Sequence, residues 1–226
     1  MTSAYVSKYI EDAYIEMILR FAVAAEYKDS EIGCHIIRVS DYSMSIARAL
    51  NFSPKKLKIV RFASIMHDIG KIGVPSALLH KKDITPKDYN KIKEHTKIGG
   101  RIFSGSLSPI LKVAGEIALY HHEWYDGSGY PFGLKARKIP LYARIVTLAD
   151  AFDAIISERA YKKSETIDKA IEAIKKRKGT QFDPGVVDAF MEALPSIKET
   201  LKATHTIDDF LKENKKFLRK DRHLTA

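Results

Sequence analysis

Apolar positions recur at three- and four-residue spacing along almost the whole chain, which predicts helices rather than strands. Over residues 5 to 27, Tyr14, Met17, Ile18, Phe21 and Ala25 share one side of a helix and charges take the other. A second helix is predicted over residues 30 to 50, stopping at Asn51. Ser53-Pro54, Thr85-Pro86 and Ser108-Pro109 then read as start signals, a capping hydroxyl followed by proline in the first helical position. They predict helices ending at Gly70, near Phe103, and near His121-His122. Between Glu123 and Pro140 the periodicity disappears, and Gly127, Gly129, Pro131, Gly133 and Pro140 predict a long ordered loop. Helices resume over residues 141 to 157, 166 to 178 with Gly179 closing it, and 184 to 194 with Asp183 as cap. Residues 196 to 226 form a polar, lysine-rich tail with a helical pattern. No strand alternation and no internal repeat is present, so the fold class is all-α, one large domain over residues 1 to 195 with a basic extension over 196 to 226.

Composition narrows the setting. With 45% hydrophobic residues in 226, the chain can bury a substantial core. Its single cysteine, Cys34, excludes an internal disulfide framework and suits a reducing compartment. Charges interrupt every apolar run short of a membrane span or a signal peptide, and the expected location is the cytoplasm. The formal charge of +10 suits an anionic partner. Much of that excess lies in Lys175-Lys176-Arg177-Lys178 and the tail, without interleaved aromatic residues, so no DNA or RNA groove is expected.

The candidate chemistry is metal binding. His67-Asp68 offers an imidazole and a carboxylate from adjacent positions, so that one ion can be held while Asp68 bridges to another. Glu31 and His35, four apart, share a helix face; His121-His122 repeats the helix-end pair. His95 lies in a predicted helix, and Asp150 sits among Val146, Leu148, Ala149, Ala151 and Phe152, where a carboxylate without a cation is costly. Singly, each has an ordinary reading as a surface histidine, a first-turn carboxylate or an ion-pair partner. Together, Glu31, His35, His67, Asp68, His95, His121, His122 and Asp150 are too many donors for one ion. Imidazole and carboxylate without thiolate point to Mn, Fe, Zn or similar ions, and a two-metal centre favours hydrolysis at phosphorus.

His67-Asp68-Ile69-Gly70-Lys71-Ile72-Gly73, with His121-His122-Glu123-Trp124-Tyr125-Asp126-Gly127-Ser128-Gly129-Tyr130-Pro131, resembles the HD-GYP domain, a bacterial subgroup of the HD metal-dependent phosphohydrolases. The likeness runs on through Ile139-Pro140-Leu141, Ala149-Asp150-Ala151-Phe152-Asp153-Ala154, Arg159 with Tyr161-Lys162, and Gly179-Thr180-Gln181-Phe182-Asp183-Pro184. It implies an HD-domain-like helical bundle that opens cyclic di-GMP to linear pGpG and, in some members, continues to GMP, using two or three divalent ions, commonly iron or manganese. The eight donors above match its ligand positions, Glu31 being the one that accompanies a third ion. The resemblance also implies that Lys71 contacts substrate phosphate and that Tyr130, Asp153, Arg159 and Lys162 stand on the substrate side. Trp124-Tyr125, Ser76 and His80-Lys81-Lys82-Asp83 depart from the family pattern without removing a ligand.

The expectation is therefore a stand-alone cyclic di-GMP phosphodiesterase. A hydroxide generated on the metals near Asp68 attacks phosphorus, and Lys71 stabilises the phosphoryl oxygens. Two alternatives stand beside it. One is a metal-bound receptor, or a module docking a diguanylate cyclase or other signalling protein through residues 123 to 140. The other is a phosphodiesterase for a different cyclic dinucleotide. For the basic tail, packing on the domain, homodimer formation and mobility are all open.

Overall fold

The computed structural model describes residues 3–26, 34–157, 165–202 and 209. Among these the chain is helical: α1 (Ser3–Glu26), α2 (Cys34–Ala49), α3 (Pro54–Ser64), α4 (Ser76–Leu79), α5 (Pro86–Ile102), α6 (Pro109–Tyr120), α7 (Leu141–Ile156), α8 (Ile167–Lys176) and α9 (Pro184–Lys202). Short 3₁₀ turns occupy Ile69–Gly73 and Ala136–Lys138. No strand forms among the described residues; Lys178 and Phe182 make one isolated bridge.

Helix starts follow the sequence signals. Thr85 and Asp88 form a reciprocal capping box at the head of α5, and the Ser108 hydroxyl accepts from the Leu111 amide at the head of α6. Asp183 Oδ1 accepts from the amides of Gly185 and Val186 where α9 begins. Ser53 makes no side-chain cap bond, and Pro54 alone marks that start.

Two helix ends differ from expectation. α3 stops at Ser64, not at Gly70, and residues 65–68 turn away before the 3₁₀ segment. α9 does not end at residue 194: it continues through Pro195 to Lys202, with Ile197 fully buried and Ser196 Oγ 3.2 Å from Ser45 Oγ. The expected domain boundary at residue 195 therefore falls inside a helix that belongs to the core. Apart from residue 209, the tail beyond Lys202 lies outside the described residues.

α2 is the central element, packed against α3, α7 and α9. Ile36, Ile37, Val39, Tyr42 and Ile46 are its buried side, and Tyr42 meets Phe152 of α7 edge-on, as Phe152 meets Phe190 of α9. Arg61 of α3 is buried as well, with its guanidinium 2.8 Å from Asp41 of α2. No helix among the described residues is long and apolar enough to cross a membrane.

Candidate metal centre

Five segments converge at one end of this packing. His35 lies in the first turn of α2, His67 and Asp68 in the turn after α3, His95 in α5, His121 and His122 at the end of α6, and Asp150 in α7. They form two groups, Asp68 with His95, His121 and His122, and His35 with His67 and Asp150. Within each group, one donor atom from every residue lies within 4.8 Å of the others. Asp68 touches both. Its Oδ1 is 3.4 Å from His95 Nε2 and 3.5 Å from His121 Nε2, while its Oδ2 is 3.4 Å from His67 Nε2.

Gly70 makes that meeting sterically allowed. A Cβ on it would stand 1.9 Å from the carbonyl oxygen of His95 and 2.6 Å from the amide nitrogen of Gly99, so the 3₁₀ segment rests directly on the α5 backbone. This contact accounts for the early end of α3. Asp68 has φ −99° and ψ 9°, outside helical geometry, and the two ligand side chains are aimed by a turn instead of by successive helix positions.

The imidazoles are oriented by oxygen acceptors on the far side of each ring. Nδ1 of His67 lies 3.0 Å from the Ser64 carbonyl, that of His95 2.8 Å from Ile92, and that of His121 3.0 Å from Ile117 and 3.1 Å from Ala118. A carbonyl only accepts, so Nδ1 carries the proton and, in the neutral ring, the Nε2 lone pair points into the centre. His35 follows the same logic with a carboxylate, its Nδ1 2.8 Å from Asp153 Oδ2.

Electrostatics divide the two groups. Burial lowers His95 to about 4 and holds His122 well below the usual range, with neighbouring imidazole charge adding to both, so these rings stay neutral with lone pairs available. Burial opposes the charged form of His67 too, but the adjacent Asp68 carboxylate outweighs it and raises His67 to about 9. His35 is raised against its burial by Asp153. For Asp68, burial works towards a higher value, yet Lys71 and His67 hold the carboxyl well below the usual carboxylate range. Carboxylates that draw a proton onto His67 would equally favour a divalent cation.

His67 Nε2 and Asp68 Oδ1 are buried without a hydrogen-bond partner. Orphaned buried polar atoms are costly, and an ion held by their groups would satisfy them. The donor set fits one or more divalent ions of the imidazole- and carboxylate-binding kind.

The remaining expected residues fall in different places. Lys71 Nζ is 2.8 Å from Asp68 Oδ2, at the edge of the centre. Tyr130 stacks on His122, centroids 4.7 Å apart and planes at 27°. Asp153, expected on the substrate side, is bonded to His35. It is fully buried, and beyond His35 its oxygens accept from Arg38 Nε at 2.6 Å and Nη2 at 2.8 Å. Burial would raise its carboxyl, but the bonds from Arg38 and His35 depress it far below normal, which makes it a charged brace behind a ligand. Glu31, Arg159 and Lys162 lie outside the described residues.

The sequence reading missed three residues here. Glu123 is buried and accepts from the amides of Phe132 and Leu134, fastening the loop onto itself; only its place directly after His121-His122 hinted at a role. Gly129 packs against the loop backbone, where a Cβ would be 2.2 Å from the Trp124 nitrogen. Arg38, one turn after His35 on α2, had no signal beyond that spacing.

The HD domain family profile matches residues 14–186, more than half of the chain. The chain belongs to the HD domain family. This HD domain is 42% identical over 193 residues to a cyclic di-GMP phosphodiesterase of Thermotoga maritima, an alignment covering 85% of this chain and 52% of the relative. It is 39% identical over 191 residues to the cyclic di-GMP phosphodiesterase response regulator RpfG of Xanthomonas campestris, covering 84% and 50%. The chain thus spans about half the length of these curated relatives. Among solved structures, a cyclic GMP-AMP specific phosphodiesterase of Vibrio cholerae superposes with a TM-score of 0.64 at 21% identity, covering 88% of this chain and 52% of that one, which shows the shared helical HD fold.

Proposed function

We propose that this HD domain is a metal-dependent phosphodiesterase that opens cyclic di-GMP to linear pGpG. The observation that carries the reading is the position of Asp68, whose two carboxylate oxygens face two separate groups of metal-ligand side chains. The names of the two bacterial relatives support the choice of substrate. His95, His121 and His122 would hold one ion, His35, His67 and Asp150 another, and Asp68 would reach both. We take iron or manganese as the metal, and Glu31 as the residue that admits a third ion.

Divalent ions in such a centre lower the pKa of bound water and offset charge on phosphoryl oxygens. The protein's own residues do the rest. Backbone carbonyls and Asp153 hold the Nδ1 side of these rings, so their orientations are set before any ion or substrate arrives. Lys71, close to Asp68 Oδ2, places a compact positive charge where a non-bridging phosphate oxygen comes to rest. One P–O bond is hydrolysed; water oxygen joins phosphorus, and the ribose 3′-oxygen leaves with a proton.

The test is product analysis on protein purified without oxygen, loaded with manganese or iron, and measured for metal content in the same sample. Appearance of pGpG, abolished by Asp68→Ala, is the expected result. Metal-loaded protein that binds cyclic di-GMP and returns it intact would instead identify a receptor.

A further inference from the structure

Lys71 shares its charge with Asp68 in the free protein. Lys93 does not have such a partner. It is a half-buried residue of α5 two positions before His95, and no carboxylate among the described residues lies within ion-pair distance of its ammonium. Two aromatic faces hold it instead, with Nζ 4.6 Å from the centroid of Tyr89 and 5.0 Å from that of Tyr130. The two rings meet edge-on at 6.4 Å, and Tyr89 is 47% exposed, so the arrangement opens to solvent. Because Tyr130 stacks on His122, Lys93 stands one ring away from the metal-ligand side chains.

Ring faces attract an ammonium and fix its position, but they leave its net charge unneutralised. The result is a positioned, uncompensated positive charge beside a centre built for a phosphodiester. A cyclic dinucleotide carries two phosphodiesters on opposite sides of its ring. With one at the metals, the other must be paired or left to water.

We propose that Lys93, positioned by Tyr89 and Tyr130, binds the second, non-reacting phosphate of a cyclic dinucleotide and so selects such substrates over single phosphodiesters. This rests on the phosphodiesterase reading above. It assigns roles to Lys93 and Tyr89 that neither the motifs nor the metal geometry imply.

Steady-state kinetics of the metal-loaded protein test it. Lys93→Gln should raise KM for cyclic di-GMP about tenfold, the loss of one charge-assisted contact, with kcat within about twofold of wild type. The preference for cyclic di-GMP over bis(p-nitrophenyl) phosphate should fall by a similar factor, and Lys93→Arg should restore most of it. Tyr89→Leu, which removes one ring and leaves the charge, should raise KM about threefold. An unchanged KM in Lys93→Gln overturns the assignment. So does an equal loss on both substrates accompanied by loss of metal, which would make Lys93 a support of the centre. Wild-type protein that carries metal and leaves cyclic di-GMP uncleaved overturns the phosphodiesterase reading itself, and this proposal with it.

Discussion

A histidine becomes a metal ligand through what its other ring nitrogen does. His67 and His121 stand just beyond helix ends, and the acceptors of their Nδ1 protons are carbonyls of the last turns of α3 and α6, where Ser64 and Ile117 also accept the backbone amides of His67 and His121. The sequence therefore marks these two candidate ligands twice, as donors and as helix-end residues. His35 has no such carbonyl and relies on Asp153, 118 residues away, a pairing that no local pattern encodes. Asp153→Asn keeps the shape and removes the charge that Arg38 and His35 share. We expect the affinity of the His35, His67 and Asp150 group for manganese to fall about ten- to a hundredfold, read by metal titration of stripped protein. A variant that binds metal normally but shows a raised KM would return Asp153 to the substrate side, where the family resemblance puts it.

At the scale of elements, starts were easier to read than stops. Capping hydroxyls and prolines act locally, so Thr85-Pro86 and Ser108-Pro109 announce α5 and α6 from their own chemistry. The end of α3 is set from outside. Periodicity carries on past Ser64, and only the fit of Gly70 against the α5 backbone explains why the helix gives way to a turn that aims Asp68 at both groups. α9 runs past residue 194, through Pro195, because the burial of Ile197 holds it together beyond the proline. Gly70→Ala isolates the first effect. Its Cβ would meet two backbone groups, which cannot rotate away, so we expect a loss of about 3 kcal/mol or more in denaturant unfolding, together with reduced metal content as Asp68 is moved from His95. Stability within about 1 kcal/mol of wild type would show that the segment accommodates the methyl group and that the close approach does not set the turn.

For the whole molecule, the metal groups are also the place where most of the helices are tied to one another. Their side chains come from α2, the turn after α3, α5, α6 and α7, segments that otherwise meet through apolar contacts and a few buried polar pairs such as Arg61 with Asp41 and Arg38 with Asp153. An ion bound by the folded chain and not by the unfolded one stabilises by RT ln(1 + [M]/Kd), about 2.7 kcal/mol at a hundredfold excess over Kd. For a domain of this size that corresponds to a rise of about 5–10 °C in Tm. Chelation at neutral pH should therefore lower Tm by that order, and manganese should restore it in proportion to the logarithm of its free concentration. The size of the shift also separates structural from purely chemical roles for the centre. His95→Ala removes a ligand from one group and leaves the other whole, so it should show about half the metal-dependent shift if the groups bind independently. A shift abolished by His95→Ala would show instead that the two groups fill as a unit through the shared carboxylate of Asp68. Fully stripped protein that melts with the loaded form would mean that apolar packing alone holds these segments in register.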